Sequence, residues 1–199
     1  DGRIARLIRG TSKVGKELDS LTDVISFGVA PAFIMYFWTL NTLGKIGWLL
    51  SLIYVVCVAL RLARFNISSG GEVSWKDNFF QGVPSPAGGI LVLTPLVLDL
   101  SGVNLFNINF EIFTPYIFIL VSILLISKVP TYSMKKIVVP RSTTVFLLFG
   151  IVLLFGLLLV FTFEVIVISC MVYILSIPIS IYHYVKLKKK YSITSGNED

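Results

Sequence analysis

The chain has 199 residues, 55% of them apolar and 14% charged, with a net charge of +6. So much apolar surface on so short a chain excludes a water-soluble domain, and the clustering of charges leaves uncharged runs of about 20 residues, long enough to cross a hydrocarbon layer roughly 30 Å thick. Positive charge in that setting points to cytoplasmic loops and anionic lipid and away from nucleic acid, while Cys57 and Cys170, each inside an apolar run, suggest neither a disulfide framework nor a zinc site.

In chain order, residues 1–9 read as the end of a helix and residues 10–16 as a basic turn. The first span runs from about Lys16 to Leu40, with Pro31 a candidate kink. A short turn, NTLGK, leads to a second span from about Ile46 to Asn66 that ends in RLARFN. The polar loop SSGGEVSWKDNFFQGVPSP follows, then a third span from about Pro86 to Leu100 and a fourth from about Ile112 to Ser127. The stretch KVPTYSMKKIVVPRST is basic and twice broken by proline. A fifth span covers about Thr144 to Phe163, Glu164 marks a tight turn, and a sixth span runs from about Val165 to Val185.

Charge placement orients these spans. With residues 1–16 cytoplasmic, the segments 61–83, 128–143 and 186–199 also fall inside, and of the 17 Lys and Arg only Lys45 lies outside. The expected fold is an all-α, polytopic transmembrane helix bundle, since nothing points to a closed β-barrel. Residues 1–190 are expected to form one membrane domain, with residues 191–199 a flexible cytoplasmic tail.

The chemistry gathers in residues 1–23, DGRIARLIRGTSKVGKELDSLTD. Asp19 and Asp23 are four apart and share one helical face, with Gly15 one turn earlier, where the lack of a side chain lets a ligand approach. Asp1 and Ala5 repeat that spacing, and Arg3, Arg6, Arg9, Lys13 and Lys16 lie between. An acid pair near a helix start is also favoured by the helix dipole alone. Acids at the edge of a membrane span are costly, however, and carboxylates beside a basic rim suit a divalent metal carrying a phosphate.

Asp1, Gly2, Ala5, Arg6, Gly15, Asp19 and Asp23 together spell D-G-x2-A-R-x8-G-x3-D-x3-D. This resembles the signature of the CDP-alcohol phosphotransferases, membrane enzymes that join a CDP-linked lipid to an alcohol. The family carries a further Asp three places before the position of Asp1, so the resemblance implies an N-terminally incomplete domain, short of that acid and of a pair of preceding helices. It implies that Asp1, Asp19 and Asp23 hold divalent metal, Mg2+ or Mn2+, as two ions. It further implies that Asp23 is the general base for the acceptor hydroxyl, and that Gly2, Ala5, Arg6, Ser12 and Gly15 lie against the CDP-lipid.

Three other strings resemble the phosphatidylserine synthase branch of that family. SFGVAPA and RLARFN, at 26–32 and 61–66, form the first. Arg61 and Arg64 share a helical face and precede Asn66; they suit a carboxylate or phosphate, although arginines at span ends also snorkel to headgroups. QGVPSPAGG, at 81–89, is the second, a loop-to-helix start rich in small residues. KVPTYSMKK is the third, in which Lys135 is a candidate for lipid phosphate. The resemblance implies transfer from CDP-diacylglycerol to L-serine, with a homodimer in membrane phospholipid. Rival readings are another acceptor, glycerol 3-phosphate or an inositol phosphate, and a non-catalytic transporter, which would spread its acids over several spans. His183, Asp99 and Glu111 read as span-end polar residues.

Overall fold

Backbone groups in lipid must pair within the chain, so long apolar runs are forced into helices. The computed structural model describes residues 13–68, 79–102, 109–132 and 141–195. Among the described residues six helical rods follow one another, an all-α membrane helix bundle as the apolar runs predict. The first comprises α1 (Lys13–Val24), a π-helical turn (Ile25–Val29) and α2 (Ala30–Trp38). A 3-10 turn (Leu40–Leu43) leads to α3 (Lys45–Ser68), and then come α4 (Ser85–Leu100), α5 (Phe110–Ile126), α6 (Arg141–Val160) and α7 (Thr162–Ser195). Among the described residues three helical stretches are long and apolar enough to cross a membrane: Glu17–Trp38, Lys45–Ile67 and Thr162–Leu187. The 16 residues of α4 and 17 of α5 rise only about 25 Å at 1.5 Å per residue, short of the full hydrocarbon thickness.

The expected kink at Pro31 takes the form of the π turn. Proline has no N–H for the carbonyl four residues before it and its ring crowds that carbonyl. The turn widens just ahead of it, with the Ala30 N–H bonded to the Ile25 carbonyl. The Phe27 carbonyl, which Pro31 cannot serve, instead accepts a 2.7 Å hydrogen bond from the Tyr54 hydroxyl of α3. Gly28 lies against Val58, and Gly89 of α4 lies against the Phe27 backbone, where a Cβ would come within 3.3 Å of the carbonyl oxygen. Small residues here let three backbones approach.

Around that crossing, each helix buries one stripe. On α3 the stripe is Ser51, Tyr54, Cys57, Val58, Arg61 and Leu62; on α5 it is Thr114, Phe118, Val121, Ser122 and Leu125. These recur at helical spacing and pack the two helices together, with the Tyr54 and Phe118 rings edge-on at 5.4 Å. The opposite faces are apolar and open, as a lipid-facing surface requires. In α6 this holds all round: Phe146 is 77% and Leu159 70% exposed, and its packing is against α7.

Two details depart from the expected boundaries. The break between the last two rods falls at Phe161, and Glu164 lies in the first turn of α7, where its charge complements the helix dipole. The helix also continues past Val185 to Ser195. In addition, β1 (Phe79–Gln81) and β2 (Pro130–Tyr132) pair antiparallel, Phe80 opposite Thr131. The pair ties the start of α4 to the end of α5. Gly82 N–H donates to Val129 O at 2.8 Å, and Thr131 Oγ1 donates to Gly82 O at 2.9 Å. Gly82 has φ +78, and a Cβ there would sit 2.7 Å from the Ser127 carbonyl, so glycine is required on both counts.

Candidate active site

One end of the bundle collects the polar side chains. Asp19 and Asp23 stand one turn apart on α1, Asp19 exposed and Asp23 half-buried, with exposed Gly15 a turn before. The two carboxylates interact electrostatically. Like charges at this spacing destabilise a helix unless something positive joins them. Their oxygens are acceptor-only, hard ligands, which fits a magnesium or manganese ion. The described residues contain no cluster of three or more metal-binding groups; the third expected ligand, Asp1, lies outside them.

The positive partner comes from α3. Arg61 is 8% exposed and interacts electrostatically with Asp23. Its Nη1 donates to Ser85 Oγ at 3.0 Å, on the first turn of α4, while its Nε is buried without a partner. A buried cation is costly unless anionic charge offsets its desolvation; the Asp23 carboxylate contributes, and the unused Nε donor has capacity for a further acceptor. One turn on, Arg64 Nη1 donates at 2.7 Å to the carbonyl of Ile126, the last residue of α5. It thereby meets one of the carbonyls a helix end leaves unpaired. Asn66 Nδ2 donates to Ser20 Oγ of α1 at 2.8 Å. The end of α3 is therefore fastened to α1, α4 and α5 at once.

Of the residues singled out from the sequence, the structure brings Gly15, Asp19, Asp23, Arg61, Arg64 and Asn66 to this one end. Asp1, Gly2, Ala5, Arg6, Ser12 and Lys135 lie outside the described residues. The two arginines separate in role: Arg64 is spent on a helix end, whereas Arg61 keeps a donor unused. Three contributors were not singled out. Ser85 sits within the quoted QGVPSPAGG string, where its position before Pro86 at a helix start was the available signal. Tyr54 and Tyr173 carry no motif. Tyr173, on α7, lines a crevice of about 340 Å³ between α4, α6 and α7, with Ala87, Leu91, Leu154, Leu158 and Cys170 among its walls.

A helical membrane bundle thus carries, at one rim, a pair of carboxylates within electrostatic reach of a buried arginine. The family model for CDP-alcohol phosphatidyltransferases matches residues 1–114. The chain belongs to that family. Among curated proteins, it is 41% identical over 145 residues to a CDP-diacylglycerol–serine O-phosphatidyltransferase of Mycobacterium leprae, covering 70% of this chain and 47% of the relative. It is 41% identical over 137 residues to the protein of that name in Helicobacter pylori, covering 69% and 56%. The counterpart in Saccharomyces cerevisiae is 38% identical over 117 residues, covering 57% and 42%. The chain thus spans about half the length of the curated relatives it matches.

Proposed function

We propose that the protein transfers the phosphatidyl group of CDP-diacylglycerol to L-serine, forming phosphatidylserine and CMP. The carrying observation is the placement of Asp23 within electrostatic reach of the buried Arg61 at the rim of the bundle, in a chain whose matched relatives bear the serine enzyme's name. Asp23 accepts the proton of the serine hydroxyl, which is a poor nucleophile at neutral pH. The oxygen so activated forms a bond to the lipid-side phosphorus, and the bond from that phosphorus to the CMP oxygen breaks. Arg61 pairs with the serine carboxylate and so orients the hydroxyl toward Asp23. Asp1, Asp19 and Asp23 would hold two Mg2+ or Mn2+ ions, whose chemistry is to neutralise charge on the diphosphate and on departing CMP.

In this reading Gly2, Ala5, Arg6, Ser12 and Gly15 contact the CDP-lipid, and Asn66 and Lys135 complete the polar rim. The site faces the cytoplasm, because that orientation leaves Lys45 as the only basic residue outside. The lipid enters sideways between helices, and the protein acts as a homodimer in the membrane. The test is an acceptor panel: full-length protein in CDP-diacylglycerol vesicles, offered labelled serine, glycerol 3-phosphate or an inositol phosphate. The expected result is labelled lipid with serine alone. Product formed only with a phosphorylated alcohol would replace serine as acceptor.

A further inference from the structure

We infer that Tyr173 of α7 is a substrate-binding residue whose hydroxyl, with the Nε of Arg61, seats the carboxylate of the acceptor; this rests on the serine reading above. Both groups are buried, and neither has a hydrogen-bond partner. Both converge on the first turn of α4, Arg61 through its bond to Ser85 and Tyr173 through the crevice it lines with Ala87. Thr131 stands beside the Tyr173 hydroxyl, but its own hydroxyl hydrogen is committed to the Gly82 carbonyl, and the two hydroxyls do not reach hydrogen-bond geometry.

A buried donor without an acceptor is a standing cost to the fold, and two in one neighbourhood demand a reason. A carboxylate supplies it. With two oxygens that only accept, it takes one hydrogen bond from Nε and one from the phenol, both charge-assisted. Its charge also adds to that of Asp23 in offsetting the buried Arg61. The position suits a small hydroxy acid, because Asp23 interacts with the same Arg61. Hydroxyl and carboxylate of serine sit on neighbouring carbons, so one molecule serves base and cation together. Tyr173 lies beyond residues 1–114, which the family model covers. The carboxylate seat therefore draws on the sixth rod, which packs against α4 and β2.

The test is Tyr173→Phe in the full-length protein. Loss of one hydrogen bond to a charged group raises the serine KM by about tenfold or more. The KM for CDP-diacylglycerol stays unchanged. With serinol as acceptor, which has no carboxylate, wild type and variant perform alike. The ligand-free variant unfolds at the same temperature or higher, because the phenol had no partner to lose. A wild-type-like serine KM overturns the seat while leaving the serine reading intact. A raised KM for CDP-diacylglycerol alone assigns the pair to lipid phosphate and overturns the carboxylate. A lowered unfolding temperature with both KM values shifted together makes Tyr173 structural. Failure of the wild type itself to use serine removes the underlying reading.

Discussion

Replacing Tyr54 with Phe removes a single oxygen from a fully buried ring and leaves its packing on Phe118 in place. The hydroxyl is the donor to the Phe27 carbonyl, at 2.7 Å, and Pro31 has no N–H to take over. A buried carbonyl stripped of its partner costs about 1–3 kcal/mol. Interhelical hydrogen bonds in membrane bundles average about 0.6 and reach about 1.7 kcal/mol. The expected loss is therefore about 1–2 kcal/mol, read from reversible denaturant unfolding in mixed micelles. The lost bond also loosens the π turn that begins one residue past Val24, so Asp23 is held less firmly and kcat falls severalfold. An unfolding free energy within about 0.3 kcal/mol of wild type, together with unchanged kcat, would show that the π turn is held by packing alone.

Asp23→Asn removes the proposed base while keeping the side chain's shape; turnover falls about 100-fold or more, yet the variant retains much of its CDP-lipid binding in a filter assay, and wild-type-like turnover would remove Asp23 from that role. Gly89→Val drives a side chain toward the Phe27 backbone, which cannot rotate aside; the unfolding midpoint drops by the equivalent of about 1–3 kcal/mol, and a midpoint equal to wild type contradicts the close crossing. Gly47→Ala, at the opposite end, sets a methyl group onto the Leu40 carbonyl; it lowers stability but leaves both substrate KM values alone in the fraction that folds.

The rods were legible because apolar runs of span length admit little but helix in lipid, and the charge clusters between them mark the turns. The acid pair was legible too, since a spacing of four is a local property that survives any packing. What escaped notice depends on distant residues. Nothing in RLARFN distinguishes Arg61 from Arg64 until the ends of α4 and α5 arrive, when one arginine meets Ser85 and the other the Ile126 carbonyl. The widening before Pro31 needed Tyr54, 27 residues from Phe27. The β1–β2 pair joins two loops 49 residues apart at Gly82 and Thr131, and three-residue strands leave no alternating pattern to read. The break at Phe161 hid inside a continuous apolar stretch, where Glu164 was the only charge and drew the turn to itself.

The central claim is that side-chain carboxylates at one rim of the bundle hold divalent cations against a nucleotide diphosphate. Its most direct measurement is CMP release from CDP-diacylglycerol by the full-length protein, followed as a chelator strips divalent ions and Mg2+ or Mn2+ is returned. The account predicts that release stops on chelation, resumes with either ion, and in Asp19→Asn needs a higher ion concentration. Undiminished CMP release in excess chelator, with Asp19→Asn indistinguishable from wild type, would contradict it.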